Sequence, residues 1–219
     1  MRILISSGAT REMIDDIRFI SNISSGKTGA FLADYFLSKN HEVYYLHGVS
    51  AHLPKGKSLN VEYVSFAELD EKFRILLREM EFDAVIHAAA VSDYRIENIF
   101  INGLKVDQVS KIASNQKVSL ELTSNYKIIG KLKEYAHYPF TLFGFKLTSD
   151  TMESNEIQSV KKLFNESKPD YVIHNKFHEL TTKLHPYKVY GDSGDKVLAS
   201  GKTKQEMADS ILSLMERKK

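Results

Sequence analysis

Short apolar runs alternate along the chain with longer segments whose apolar positions have helical spacing. Runs that predict strands are "ILI", "HEVYYLHG", "VEYVS", "FDAVIHAAAVSDY", "KVSLEL", "FTLFGFKL" and "DYVIHN". Several are nearly continuous, as in parallel strands buried on both faces. The intervening segments predict helices after residue 26, over "FAELDEKFRILLREM", from about residue 126 to 135, over "ESNEIQSVKKLFNES" and over "TKQEMADSILSLMERKK".

This alternation predicts the α/β class, with a Rossmann-like doubly wound, mostly parallel sheet and helices on both faces. "YKVYGDSGDKVLAS" predicts a small C-terminal hairpin that turns between Gly191 and Asp195. Residues 95–116 have mixed polarity and no clear period. No stretch of the sequence has the low-complexity composition of a linker, so residues 1–219 are interpreted as a single domain.

Composition narrows the function classes. Thirty Lys and Arg residues against 28 Asp and Glu give a net charge of +2, with no dense basic run before "ERKK", so no nucleic-acid partner is expected. The absence of cysteine excludes disulfides and cysteine nucleophiles. The N-terminal apolar run is too short for a signal peptide, and no run reaches membrane-spanning length. We therefore expect a soluble cytoplasmic protein without a membrane partner.

Four polar segments follow predicted strands: "SSGAT" (6–10), "AAAVSDY" (88–94), "FKLTSD" (145–150) and "HNK" (174–176). Ligands of open parallel sheets bind at the carboxyl ends of the strands. The four segments therefore predict one site.

The stretch "RFISNISSGKTGAF" precedes the first long helix and admits two interpretations. Its serines could cap the helix. Alternatively, the free N–H groups of the first turn could bind an anion, with Gly26 and Gly29 allowing close approach. Neither a Walker A motif nor GxGxxG is present, which leaves standard dinucleotide binding unsupported. Asp93 could likewise cap a turn or bind a substrate, and Lys162 could be solvated or functional.

Taken in order, several segments resemble the phosphopantothenate–cysteine ligase family. The family pattern D-x-(V/I)-R-(F/Y)-(I/L)-x-N-x-S-S-G-x-x-G matches "DDIRFISNISSGKTG". Further matches are "AAVSDY", "SKIAS", "LTSNYKI", "GFKLTS" and "KKLFNESKPDYVIHN", and together they span about residues 4–176. Because no decarboxylase half is present, the chain resembles the free-standing bacterial type.

The resemblance implies a ligase that joins 4′-phosphopantothenate to L-cysteine. The carboxylate would attack the α-phosphate of a nucleoside triphosphate, release pyrophosphate and form an acyl-nucleotide that the cysteine amine opens. Bacterial members mostly use CTP and animal members ATP, so CTP is expected here, with ATP as the alternative and Mg²⁺ accompanying either nucleotide.

The resemblance also implies roles for individual residues. Asn22 would hold the activated carboxyl, Lys162 would stabilise developing phosphate charge, and Arg18 would reach phosphopantothenate in the neighbouring subunit of a homodimer. Residues about 95–116, including Lys111, would form a flap over the substrate. The remaining residues would bind the triphosphate (Gly8, Ser24, Gly26, Gly29), the nucleoside (Phe145, Lys146, Asn175) and phosphopantothenate (Ala89, Ala90, Asp93). The metal ligands stay unassigned.

Some positions depart from the family pattern. Tyr126 replaces the proline before Lys127, and an extra residue before Asp170 makes Lys161 a rival to Lys162. Two other functions stay open. One is a short-chain oxidoreductase, although its glycine set and Y-x-x-x-K motif are absent; the other is a nucleotide- or flavin-binding protein without ligase activity.

Overall fold

The computed structural model describes residues 1–107, 110–149 and 152–217. Gln108 and Val109 in the predicted flap, Asp150 in the third strand-end segment, Thr151 and the last two residues of the predicted domain lie outside the described residues.

The described residues form thirteen strands and five α-helices. The strands are β1 (Arg2–Ser7), β2 (Arg11–Met13), β3 (Phe19–Ser21), β4 (Glu42–Gly48), β5 (Leu59–Tyr63), β6 (Ala84–His87), β7 (Tyr94–Ile101), β8 (Leu104–Val106), β9 (Val118–Ser124), β10 (Thr141–Thr148), β11 (Tyr171–Lys176), β12 (Tyr187–Gly191) and β13 (Lys196–Gly201). The helices are α1 (Lys27–Ser38), α2 (Phe66–Glu79), α3 (Leu132–Tyr135), α4 (Glu153–Ser167) and α5 (Lys204–Glu216).

Eight strands form the central sheet in the order β13-β12-β11-β10-β6-β1-β4-β5. The six strands from β11 to β5 are parallel, and β12 and β13 are antiparallel at one edge. Numbered along the chain, the parallel strands have the order 3-2-1-4-5-6, which is that of doubly wound nucleotide-binding folds. The predicted fold class and the C-terminal hairpin are confirmed.

Alternate residues of the central strands divide the core into two layers. Ile3 and Ile5 contribute to a cluster with residues of α1 and α5, whereas Leu4 belongs to a cluster with residues of α2 and α3. Val160 and Phe164 of α4 pack beside this second layer. The period of two along a strand thus places helices on both faces of the sheet.

The predicted helix over residues 126–135 is wrong in its first half. A 3₁₀ turn at Ile128–Gly130 is followed by the single α-helical turn of α3. Tyr126 lies outside both, because its hydroxyl donates to Asp70 Oδ2 at 2.8 Å and its ring packs edge-on against Phe66. These contacts with α2 outweigh the local helical preference.

Residues 94–124 contain a separate antiparallel sheet in the order β8-β7-β9. The segment that showed no period is therefore partly regular, since β7 and β8 form a hairpin. Asn102 and Gly103 make its two-residue turn with φ of 52° and 85°. Asn-Gly is a strong hairpin signal, but the half-exposed residues of β7 obscured the strands around it.

Candidate functional site

The segments after β1 and β6 run side by side beyond the ends of their strands. Ala90 donates its N–H to Gly8 O at 2.8 Å, and Thr10 donates its N–H to Ala90 O at 3.3 Å. Ser92 N–H donates to Thr10 Oγ1 at 2.9 Å. Because β1 and β6 are where the strand order reverses, this ladder lies at the topological switch point.

Asn22 reaches the same edge from the loop before α1. Its Nδ2 donates to Val91 O at 2.9 Å, and Ser21 Oγ donates to Thr10 O at 2.7 Å. The loop is thus tied to both strand-end segments. The structure therefore brings Asn22 together with the segment that contains Ala89, Ala90 and Asp93.

The serines of the quoted stretch do not cap α1. Gly26 is the N-cap residue, with φ of 71°, and no side chain accepts a hydrogen bond there. The serine-cap interpretation is therefore wrong. The first N–H groups of a helix have no partner within it, and they point towards any ligand at its N-terminus. Ser24 is half-buried beside this helix end.

Glycines are required here because the backbone is closely packed. A Cβ on Gly8 would lie 2.6 Å from Ala51 Cβ, and one on Gly26 would lie 2.7 Å from the same atom. Gly29 brings α1 onto β1, as a Cβ there would meet Ser7 Oγ at 2.3 Å. The glycines thus hold the helix N-terminus next to the switch point.

We expect Gly29→Ala to lower the free energy of unfolding by about 1–3 kcal/mol, because overpacking forces α1 away from Ser7. Urea denaturation measures this, with Gly130→Ala as the matched control. The nearest atom to a Cβ on Gly130 is 3.5 Å away, so its stability should stay within about 0.5 kcal/mol. Equal midpoints for the two variants would contradict the packing argument.

Three cationic side chains, Lys127, Lys146 and Lys162, lie close to one another at the strand-end edge. The pKa of Lys146, half-buried in β10, is lowered by burial and then by the charges of Lys127 and Lys162, while Asp93 and Glu166 oppose the shift. Lys127 and Asp93 form an ion pair. The strand-end edge therefore carries positive charge suited to an anionic ligand.

The two rival lysines of α4 point to different places. Lys162 is 73% exposed and its Nζ lies 3.8 Å from Glu166 Oε1. Lys161 Nζ lies 2.6 Å from Asp195 Oδ1, beside the turn of the β12–β13 hairpin. Lys162 thus belongs to the cationic edge, and Lys161 is held at the hairpin.

Phe145 and Asn175, expected near the nucleoside, lie on neighbouring strands. Phe145 is half-buried against the core layer of α1 and α5. Asn175 is buried, and its Nδ2 donates to Pro186 O at 2.6 Å. The geometry therefore gives Asn175 a structural hydrogen bond within the chain.

Arg18 contacts the residue that follows Lys111 in the chain, a contact that the sequence did not predict. Arg18 Nη1 and Nη2 donate to Ile112 O at 3.1 and 3.0 Å, and Nη1 also donates to Asp15 Oδ2 at 3.0 Å. Lys111 itself is exposed. Sequence reasoning missed Asp15, although it stands in the matched "DDIR", and it missed Lys127 in the quoted "LTSNYKI".

The strand histidines are core residues. His87 is buried, its Nδ1 lies 2.7 Å from Ser6 Oγ, and burial lowers its pKa to about 4. His174 Nε2 lies 2.9 Å from Thr148 Oγ1.

A buried ionic cluster stands beside the site at Glu156 of α4. Burial raises the pKa of Glu156, but hydrogen bonds from Tyr190 and Lys188 and the charges around it lower the pKa to about 2. The donors are Tyr190 Oη at 2.6 Å and Lys188 Nζ at 2.9 Å. Lys176 Nζ lies 3.2 Å from Oε2. The cluster ties α4 to β11 and β12.

We expect stability to fall in acid because of Glu156. Its pKa in the folded chain lies below the ordinary 4.5, so its contribution is complete above pH 4.5 and is lost as the pH falls towards 2. Between pH 5 and pH 3 the loss is about 2 kcal/mol. Urea denaturation of wild type and Glu156→Gln checks this. A stability difference between them that does not shrink in acid would contradict the assignment.

Three further observations concern a distant cleft, metal ligands and membrane-spanning helices. An open cleft of about 510 Å³ lies at the amino ends of the central strands, lined by residues that include Asp83, Thr141 and Asp170. It is therefore at the opposite end of the strands from the switch point. Within the described ranges, no group of three or more His, Cys, Asp or Glu side chains could hold a metal. No described helix is long and apolar enough to cross a membrane.

Comparison with known proteins identifies similar chains. A family model described as the DNA/pantothenate metabolism flavoprotein C-terminal domain matches residues 1–218. The coenzyme A biosynthesis bifunctional protein CoaBC of Thermococcus kodakarensis is 32% identical over 225 residues, which cover 99% of this chain and 51% of that protein. The chain thus spans about half the length of this relative.

Two solved structures have the same fold. The DNA/pantothenate metabolism flavoprotein of Streptococcus pneumoniae has a TM-score of 0.87 at 25% identity, over 100% of both chains. The C-terminal domain of a coenzyme A biosynthesis bifunctional protein CoaBC has a TM-score of 0.72 at 26% identity, over 99% of this chain and 94% of that one.

Proposed function

Because the chain belongs to the family of the DNA/pantothenate metabolism flavoprotein C-terminal domain, we propose that it is a phosphopantothenate–cysteine ligase in coenzyme A biosynthesis. A relative that is 32% identical is named for that pathway. The observation that carries the proposal is the hydrogen bond from Asn22 Nδ2 to Val91 O. It joins the amide proposed to hold the reacting carboxyl to the strand-end segment proposed to bind the pantothenate arm.

The proposed reaction has two steps, and both would take place at the carboxyl ends of the parallel strands. A carboxylate oxygen of 4′-phosphopantothenate attacks the α-phosphate of the nucleotide, and the bond to pyrophosphate breaks. The amine of L-cysteine then attacks the acyl carbon, loses a proton, and displaces the nucleoside monophosphate as the amide forms.

The described residues support the charge requirements of the first step. The N-terminus of α1, with Gly26 and Gly29, presents N–H groups and a positive dipole end to the triphosphate. Lys146 and Lys162 add positive charge from the other side, where negative charge grows on the leaving pyrophosphate. Stabilising developing charge at fixed positions is a large catalytic term.

The side chains nearest the proposed substrates would orient the carboxyl and bind phosphopantothenate. Asn22 retains an amide oxygen and a second N–H with which to orient the carboxyl, without adding charge. Asp93 would contact the polar arm of phosphopantothenate, and its ion pair with Lys127 holds it at the strand end. Gly8, Ser24, Ala89 and Ala90 would line the backbone surface between these groups.

CTP is the proposed nucleotide, with ATP as the alternative. Phe145 and Asn175 would line the nucleoside beside Lys146. Mg²⁺ would neutralise charge on the triphosphate. Mg²⁺ in such sites takes most of its ligands from phosphates and water, with one or two carboxylates. Mg²⁺ would therefore arrive with the nucleotide and be held mainly by its phosphates and by water.

We further propose a homodimer. Within the described chain Arg18 makes three hydrogen bonds through Nη1 and Nη2, and its side chain is 43% exposed. An arginine has five N–H groups, so its outer edge can reach the phosphopantothenate of a neighbouring subunit. Sedimentation velocity should show a dimer, and a monomer at assay concentrations would contradict this part of the proposal.

Pyrophosphate release tests the function. The purified chain is mixed with 4′-phosphopantothenate, L-cysteine, Mg²⁺ and each nucleoside triphosphate in turn. We expect release that depends on phosphopantothenate and is fastest with CTP. No release with any nucleotide would contradict the ligase, and a yellow preparation with bound flavin would favour a flavin-binding protein without ligase activity.

A further inference from the structure

Asp15, in the turn between β2 and β3, is a buried carboxylate with no part in the reaction proposed above. It is 5% exposed. Its Oδ1 accepts the N–H groups of Ile17 at 2.9 Å and Arg18 at 2.7 Å. Its Oδ2 accepts Arg18 Nη1 at 3.0 Å and the Ile112 N–H at 3.1 Å. Four donors therefore meet at one side chain.

These contacts join two parts of the chain that are far apart in sequence. Asp15 holds the N–H of Ile112, Arg18 holds its carbonyl, and Asp16 N–H donates to Ser110 O at 3.3 Å. Ile112 is 2% exposed. Lys111 thus lies between two anchored residues, while its side chain stays exposed.

The charge of Asp15 strengthens the anchor. Hydrogen bonds from the backbone of Ile112 and Ile17 lower its pKa, so it is ionised at neutral pH. Hydrogen bonds to an ionised acceptor are about twice as strong as neutral ones. The amide of asparagine would keep only one acceptor oxygen and add two N–H groups that face donors.

Both anchored segments lead directly to residues of the proposed site. From Arg18 the chain continues through β3 to Asn22, and residues 110–112 carry Lys111. The Asp15 side chain therefore sets the position of residues 110–112, within the predicted flap, relative to the loop that carries Asn22.

We propose that Asp15 is a positioning residue that acts through Ile112 to hold Lys111 in one place relative to Asn22. This inference rests on the proposed function, because Lys111 is taken to meet an anionic substrate. Asp15 itself touches no substrate.

A double-mutant cycle tests the coupling. We expect Asp15→Asn to lower kcat about 10–100-fold and Lys111→Gln to lower it by a similar factor. If Asp15 acts through Lys111, the double variant is no more than about twofold slower than Lys111→Gln alone, since coupled residues are non-additive. Losses that multiply in the double variant would overturn the proposal.

Hydrogen exchange provides a readout that needs no activity. The Ile112 amide should exchange at least tenfold faster in Asp15→Asn than in wild type. Asp34→Asn is the matched control, because Asp34 Oδ1 also accepts two backbone N–H groups, from Lys55 at 2.7 Å and Gly56 at 2.9 Å. Asp34→Asn should leave exchange at Ile112 unchanged.

The outcomes separate the two proposals. Unchanged Ile112 exchange in Asp15→Asn overturns the anchor whatever the activity, whereas absent pyrophosphate release in wild type contradicts the ligase and leaves the exchange test in force. If Asp15→Asn does not fold, Asp15→Glu replaces it in the exchange experiment. The additional methylene moves the carboxylate away from its present position against the Ile112 N–H, so faster exchange at Ile112 is again expected, and wild-type protection would overturn the proposal.

Discussion

Asn22→Asp is expected to lower kcat for pyrophosphate release about a thousandfold, at the upper end of what one removed amide donor costs in an oxyanion-binding site. The wild-type amide can orient a substrate carboxylate without charge, whereas the variant places a second carboxylate beside it. Two carboxylates within a few ångströms repel each other. The substitution is nearly isosteric, so the defect should come from charge and the lost donor.

Steady-state kinetics with CTP and phosphopantothenate measures the effect, and circular dichroism confirms the fold. Asn125→Asp is the matched control, because Asn125 Nδ2 donates to Ser92 O at 3.2 Å, one residue beyond the carbonyl that Asn22 contacts. It removes the same kind of donor from the same segment, and we expect a loss below about tenfold. Unchanged turnover of Asn22→Asp would exclude Asn22 from the site of the activated carboxyl.

Lys162→Gln is expected to lower kcat about a hundredfold and to change the KM for the nucleotide less than about threefold. Its charge acts on Lys146, and its ion pair with Glu166 is long and exposed, with Glu166 Oε1 3.8 Å from its Nζ. It can therefore move onto phosphate oxygens as negative charge develops. Such an interaction favours the transition state over the bound substrate.

Lys161→Gln is the neighbouring control on the same helix. Lys161 is held by Asp195, and an exposed ion pair contributes about 0–1 kcal/mol to stability. We expect near-wild-type kinetics and a slightly lower melting temperature. If Lys161→Gln loses turnover and Lys162→Gln does not, the match of α4 to the family pattern is off by one residue, and Lys161 is the lysine that the pattern contains.

The sequence predicted elements best where burial and period agreed. The continuous apolar runs around Ile3 and Val85 became central parallel strands, because only buried strands are apolar on both faces. Prediction was wrong near Tyr126, whose hydroxyl is captured by Asp70 of α2. No element was predicted at the half-exposed strand β7, because its weak periodicity concealed the strands on both sides of the Asn-Gly turn.

The candidate site, like the fold, could be predicted from the sequence only in part. Residue types and spacing in "RFISNISSGKTGAF" predicted that a loop rich in serine and glycine, with two cations, precedes a helix. The rule for parallel strands placed four polar segments at the carboxyl ends of the strands. Local sequence contains those signals because helix ends and strand ends are short-range features.

Only the tertiary structure decided how these parts work together. It made Gly26, not a serine, the cap of α1, since Ala51 leaves no room for a Cβ. It separated Lys162 from Lys161 and bound Asp15 to Ile112, which lies 97 residues away. Such contacts depend on how distant elements pack, and this packing follows from the burial of all the apolar faces together, which no single stretch of sequence contains.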